Sequence, residues 1–339
     1  MPPAQPRPPG APPEGPHKGQ HFHGRELPLR IGSRASPLAR VQTRSFLTLL
    51  TEACPVLGTA DLFEEVVIRT TGEKVLDRPL ADIGGKGLFA KEIHEALLDE
   101  RIDFAVHSLK DLETTLPFGV TLACVLPRED PRDVLILGPG CGTPDEEDPF
   151  ACLPGGALIG TSSVRRQSQL LHARPDLRMA LLRGNVQTRM DRVRAGDFAA
   201  TMLALAGLRR LGLEQGAGLV LPTAAMLPAA CQGIVAVTVR TRDRMLIEQL
   251  QAVEHGPTRV AATAERALLA ELDGSCRTPI GAHVTPLPGE RIRLEALVAR
   301  ADGGFLLRRE IEGLTEDAAR LGRALGAELR ADSPADVFG

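Results

Sequence analysis

With 339 residues, 43% of them hydrophobic, 24% charged and a net charge of −3, the chain can bury the cores of two or three soluble domains. It lacks the basic excess of a protein that coats nucleic acid, and its 10 Phe, with no Trp or Tyr, make aromatic stacking platforms scarce. No apolar run reaches the ~18 residues of a membrane span, no apolar leader opens the chain, and the cysteines at 54, 124, 141, 152, 231 and 276 have neither Cys-x-x-Cys nor zinc-finger spacing; a reducing, cytoplasmic setting without membrane or nucleic-acid partners is expected.

Residues 1–27, with eight prolines in the first sixteen positions, read as a disordered tail. From Pro28 onward, strand and helix signals alternate. Leu29–Ser33 is a short apolar run, Val41–Cys54 has helical periodicity, Glu65–Thr70 is strand-like and Leu88–Leu98 helical. Phe104–Leu109, Val120–Leu126 and Val134–Leu137 read as strands. Then come strand–helix pairs: Ala157–Thr161 with Val164–Ala173, and Leu177–Leu182 with Val186–Ala195. Ala200–Ala206 is a buried strand leading to a helical turn near Gly212, and Ile234–Arg240 alternates like a strand. This alternation predicts an α/β fold with mixed, largely parallel sheets. The last ninety residues differ. Helices at Arg244–Val253 and Val260–Leu272, strands at Ile292–Val298 and Phe305–Ile311 joined through Ala301-Asp302-Gly303-Gly304, and a helix at Glu316–Leu329 predict a small α+β domain.

The polar residues cluster where strands end. Arg34 and Ser36 follow the first strand. Lys110 and Asp111, in Val106-His107-Ser108-Leu109-Lys110-Asp111, follow another, where open α/β sheets place ligands. Thr161, Ser163, Arg165 and Arg166 open a helix, and Arg183 and Arg189 flank the next helix start. Hydroxyls and free backbone N–H groups at a helix start bind anions, whereas basic residues in a first turn oppose the helix dipole and call for an anionic partner. Together these residues predict a cleft for several carboxylates or phosphates. Asp111 stands as the single acid among the bases and is a candidate general acid/base. Gly84-Gly85-Lys86-Gly87 fails as a Walker loop, because Leu80 and Gly87 stand where Gly and Ser/Thr are required, and suits a mobile loop carrying Lys86. Cys276, on the turn Asp273-Gly274-Ser275-Cys276-Arg277, has no His base near it in sequence and by itself stays open between an inert and a functional thiol.

The stretches RIGSRASPLAR, LDRPLADIGGKGLFAKEI, VHSLKDLETTLP, REDPRDV, GTSSVRRQ, RGNVQTR, LAGLRRLGL and DGSCRTPIG, running in order from about residue 29 to the C-terminus, resemble the porphobilinogen deaminase (hydroxymethylbilane synthase) family. The resemblance implies two periplasmic-binding-protein-like domains around a cleft, residues 28–128 with 232–250 and residues 129–231. A third domain, 251–339, would carry a dipyrromethane cofactor on Cys276 through a thioether. It implies four head-to-tail additions of porphobilinogen with loss of ammonia, then hydrolysis to hydroxymethylbilane, by a cytoplasmic, monomeric enzyme without metal or nucleotide. By matching motif, Asp111 is the catalytic carboxylate. Lys110, Thr161, Ser163, Arg165 and Arg166 lie on the cofactor side, and Arg34, Ser36, Lys86, Arg183 and Arg189 on the substrate side. Glu73, Asp82, Cys231 and Ser275 depart from residues frequent in the family. A non-catalytic anion-binding module of the periplasmic type, or a thiol enzyme using Cys276, are the rival readings.

Overall fold

The computed structural model describes residues 21–22, 25–55, 62–74, 90–216, 218–272 and 278–338. A short ribbon of β1 (His21–Phe22) and β2 (Arg25–Glu26) leads into β3 (Leu29–Arg34), α1 (Pro37–Ala53), β4 (Phe63–Ile68), α2 (Thr71–Lys74) and α3 (Lys91–Leu98). These precede β5 (Phe104–Ser108) and β6 (Val120–Val125). Helix α1 begins four residues before the predicted Val41. Ser36 caps it, its hydroxyl accepting from Ala39 N at 3.3 Å, and Pro37 occupies the first turn, where a missing N–H costs nothing.

The chain then builds a second sheet from β7 (Asp133–Leu137), β8 (Leu158–Gly160), β9 (Arg178–Ala180), β10 (Ala200–Ala204) and β11 (Leu219–Val220). Helices α4 (Val164–Ala173), α5 (Val186–Arg194) and α6 (Leu205–Arg210) connect these strands. It returns to the first sheet through β12 (Val235–Arg240) and α7 (Arg244–Leu250).

The first sheet has the order β4-β3-β5-β12-β6 and the second β11-β7-β10-β8-β9. Each contains one reversed strand. β12 is antiparallel to both β5 and β6, while β3 is parallel to β4 and β5. β7 is antiparallel to β10 and β11, while β8 is parallel to β9 and β10. The two reversed strands are those that follow the crossings between sheets. Both faces of the second sheet are covered: Leu135, Ile159 and Met202 join one core, Val134, Ile136 and Leu203 the other. Strands buried on both faces read as continuous apolar runs, which is why Ala200–Ala206 was legible. In the first sheet Phe46 of α1 packs edge-on against Phe104, with ring centroids 5.7 Å apart.

The C-terminal unit stacks α8 (Gly256–Glu271) and α9 (Ala318–Asp332) on a three-stranded antiparallel sheet of β13 (Ile280–Leu287), β14 (Arg291–Ala299) and β15 (Leu306–Leu314). The helices approach so closely that a Cβ at Gly322 would collide with the Ala264 carbonyl. β13 was not foreseen. Gly281 and Pro286 obscure its pattern, and both are tolerated because β13 is an edge strand. Its inner residue Ala282 donates its N–H to Pro228 O, tying the unit to the returning chain. The α/β class with mixed sheets and a small C-terminal domain is therefore the observed fold.

Candidate active site

The carboxyl ends of the parallel strands and the amino ends of the two reversed strands lie together. Ser108, at the end of β5, pairs with Val235 at the start of β12. Ala204, at the end of β10, pairs with Asp133 at the start of β7. Hydrogen bonds from Lys110 to Gln232 and from Gln232 to Asp133 join the two sets of strand ends.

Asp111 sits on the single 3-10 turn that follows β5. Its carboxylate is 32% exposed, and Arg34 Nη1 lies 3.4 Å from its Oδ2. Beside it, Lys110 Nζ donates to Gln232 Oε1 at 3.1 Å. Gln232 is fully buried and donates through Nε2 to Asp133 Oδ1 at 2.8 Å and to Pro131 O at 2.6 Å. Asp133 is 0% exposed and accepts Arg166 Nη2 at 2.7 Å and Arg165 Nη2 at 2.8 Å. The other Nη groups donate to Leu227 O and Met202 O. Burial alone would raise the Asp133 carboxyl, but Arg165, Arg166 and the Gln232 amide outweigh it and hold the group well below the usual carboxylate range. Lys110 is reached by solvent yet walled in by the cleft. That enclosure, with Arg166 and Arg165 against the opposing pull of Asp111 and Asp133, lowers its ammonium to about 8.

The positive field extends further. Arg189 is lowered to about 10, first by desolvation and then by Arg166 and Arg183, with Asp111 opposing. Its Nε donates to Gly184 O at 2.9 Å. Arg183 reaches across to the first sheet's side, donating to Gly72 O at 2.9 Å. The helix starts are capped by their own side chains: Ser163 Oγ accepts from Arg166 N at 3.4 Å, Asn185 Oδ1 from Thr188 N at 2.8 Å, and Thr161 Oγ1 from Ser163 N at 3.1 Å. The hydroxyls of Ser36, Thr161 and Ser163 are therefore acceptors within their own turns and keep an O–H group and a second lone pair for a ligand.

Arg34, Ser36, Lys110, Asp111, Thr161, Ser163, Arg183 and Arg189 stand at the strand ends and helix starts where the sequence placed them. Arg165 and Arg166 do so with a correction. Their backbone opens α4, but their guanidinium groups are 5% and 6% exposed and turned inward onto Asp133. The anion that two arginines in a first turn require is in part the protein's own. Asp111 is consequently not the single acid among the bases. Asp133, within the REDPRDV stretch, was missed, and the signal that could have found it was the same dipole argument applied inward. Lys86 and Cys276, with Asp82 and Ser275, lie outside the described residues. Cys231 has φ +61°, a left-handed conformation that favours Gly, which accounts for Gly being frequent there in the resembled family. Among the described residues no group of three or more metal-ligating side chains converges, and no helix is long and apolar enough to cross a membrane.

The family description "Porphobilinogen deaminase, dipyromethane cofactor binding domain" matches residues 29–248, and "Porphobilinogen deaminase, C-terminal domain" matches residues 260–331. This chain belongs to the porphobilinogen deaminase family. It is 45% identical over 311 residues to the porphobilinogen deaminase of Paracoccus denitrificans, covering 92% of this chain and 96% of the relative. It is 43% identical over 312 residues to the chloroplastic porphobilinogen deaminase of rice, covering 91% and 85%. Of solved structures, the periplasmic VFT2 domain of Bordetella pertussis BvgS overlaps 66% of this chain and 86% of that one at 13% identity and a TM-score of 0.37, too slight a likeness to carry an argument. Members of the porphobilinogen deaminase family are transferases of tetrapyrrole biosynthesis that use a dipyrromethane cofactor, and this chain is one of them.

The residues present fit such a group. A dipyrromethane carries acetate and propionate side chains. The structure offers a cluster of arginines and a lysine in which Arg189, lowered first by desolvation, is lowered further by Arg166 and Arg183. Carboxylates placed among them relieve that repulsion.

Proposed function

We propose that this chain condenses four porphobilinogen molecules head to tail and releases hydroxymethylbilane, with Asp111 as its catalytic carboxylate. The observation that carries the reading is the placement of Asp111: a half-exposed carboxylate at a strand end, beside Arg34 and flanked by Lys110, facing a cleft that is otherwise cationic. When bound, the dipyrromethane supplies the nucleophilic pyrrole end to which the substrate units are joined. Asp111 stabilises the positive charge that develops on a pyrrole as ammonia departs, and takes up or returns a proton through its Oδ atoms. Arg34, its Nη1 3.4 Å from Asp111 Oδ2, holds that oxygen in place. Arg183, Arg189 and Lys86 take substrate carboxylates, with Ser36 donating its O–H. Lys110, Thr161 and Ser163 take those of the cofactor, with Arg165 and Arg166 supplying positive field from beneath through the Asp133 and Gln232 lattice. Cys276 forms the thioether to the cofactor.

The proposed domains are residues 28–128 with 232–250, residues 129–231, and residues 251–339 for cofactor attachment, a division that the separate sheets support. Cys124 and Cys231, buried and pushed up to about 12 by desolvation, and free thiols throughout the described residues support a reducing cytoplasmic setting. Both faces of the second sheet are covered from within the chain, which supports a monomer.

Incubation of the purified protein with porphobilinogen tests the reading. Hydroxymethylbilane is expected in solution with four ammonia released per tetrapyrrole, and an intact mass above the polypeptide by one dipyrromethane. A protein that binds porphobilinogen, releases no ammonia and shows the bare polypeptide mass is instead an anion-binding module.

A further inference from the structure

Beneath the Asp111 turn lies a buried group of titratable side chains that the reading above does not use. His94, on the inner face of α3, is 2% exposed, and neither of its ring nitrogens has a hydrogen-bond partner among the described residues. Its Nδ1 lies 3.8 Å from Oε2 of Glu113, two residues beyond Asp111. That Oε2 is itself buried and without a partner. An imidazole and a carboxylate do not stay buried side by side by chance of packing, because each unpartnered polar atom opposes folding. On the far side, the His107 ring stands with its centroid 5.9 Å from that of His94, and its Nε2 is engaged with Thr238 Oγ1 at 2.8 Å.

The segment carrying Asp111 is tied at several other points. Leu109 N donates to Ile234 O, Lys110 Nζ to Gln232, and Arg266 Nη2 from α8 holds the carbonyls of Glu113 and Thr114 at 2.8 and 2.7 Å. The Glu113 side chain offers a further tether, with His94 Nδ1 3.8 Å from its Oε2.

The geometry points to His94 and Glu113 as a positioning pair for Asp111: the imidazole N–H, directly or through one water, holds the Glu113 carboxylate and so sets the turn that presents Asp111 to the cleft. Burial lowers His94 against the raising pull of Glu113, and lowers His107 to about 3, with His94 and Arg34 adding to the effect on His107. Both rings are therefore neutral near pH 7, and His94 acts as a neutral donor. Among the described residues, the charged groups that face the two rings are Glu113 at His94 and Arg34 at His107, and Arg266 faces Glu113 from α8. The inference rests on Asp111 being the catalytic carboxylate.

The test uses cofactor-loaded enzyme with His94→Gln, Glu113→Gln and the double substitution, with Glu113→Asp as the conservative change and Asp111→Asn in parallel. Each single variant is expected to lower kcat about five- to tenfold with KM within about twofold. The double variant should be no worse than either single, because the two act as a unit, and Glu113→Asp should recover part of the loss. Histidine side-chain NMR gives a readout independent of turnover: in Glu113→Gln, the His94 titration should move to lower pH, since the raising carboxylate is gone. Unchanged kcat and an unmoved His94 titration overturn the pair even when Asp111→Asn is inactive. An active Asp111→Asn instead removes the reading on which the pair rests, while the NMR shift still reports whether His94 and Glu113 interact.

Discussion

Arg166 Nη2 lies 2.7 Å from Asp133 Oδ1, so a guanidinium at the start of a helix is bound to an acid at the start of the one reversed strand of its own sheet. Asp133 also takes Arg165 and Gln232. Asp133→Asn leaves two arginines buried with no countercharge. Removing one member of a buried ion group costs on the order of 3–5 kcal/mol. The expected outcome is a protein that unfolds at clearly lower urea concentration than wild type and assembles holoenzyme poorly. Equal urea midpoints would show that the two arginines find other partners.

Asp111→Asn keeps the shape of the side chain and loses its charge and basicity. With cofactor in place, turnover is expected to fall at least ~100-fold, the lower end for acid–base catalysis, with circular dichroism unchanged. Asp111→Glu, which retains the charge one methylene further out, should keep more activity than Asn. Near-wild-type turnover of Asp111→Asn would reduce Asp111 to a turn residue.

Cys276→Ala should give a folded protein whose intact mass equals the bare polypeptide. Cys124 and Cys231 are buried and held protonated by desolvation, so neither is suited to take over the attachment. A wild-type adduct mass in this variant would move the thioether to another thiol.

Acid should weaken the fold well above the carboxylate range. His107 is lowered from 6.5 to about 3 by burial, then by His94 and Arg34. Below pH 6.5 the unfolded chain binds a proton that the folded one does not. Stability is therefore complete above that pH and lost as pH falls toward 3, at about 1.4 kcal/mol per unit for one group. Between pH 6.5 and 4.5 the loss from His107 is about 2–3 kcal/mol, and His94 adds in the same direction. Urea unfolding of wild type and His107→Gln across this range checks it: the stability difference between the two should shrink, or turn in favour of Gln, as pH falls. A difference independent of pH would contradict a neutral buried His107.

The sequence alone determined the alternation of elements, the polar helix starts around Ser36 and Ser163, and the gathering of Arg34, Lys110, Asp111, Arg183 and Arg189 at strand ends. These depend on neighbours within a few residues: a capping side chain bonds three residues ahead, and the carboxyl end of a parallel strand opens toward a cleft whatever lies around it. Strand direction was decided only by the tertiary structure. Nothing local in Asp133-Val134-Leu135-Ile136-Leu137 says that it runs against its neighbours, yet this reversal carries Asp133 to the carboxyl edge of the sheet and turns Arg165 and Arg166 inward. The reversal of β12 does the same for Gln232, which lies 122 residues from the Lys110 it binds. His94 and Glu113 met for a similar reason. A polar residue on a helix and another past a strand end are unremarkable separately, and only the packing of α3 over β5 buries them together, with both His94 ring nitrogens and Glu113 Oε2 lacking a hydrogen-bond partner among the described residues.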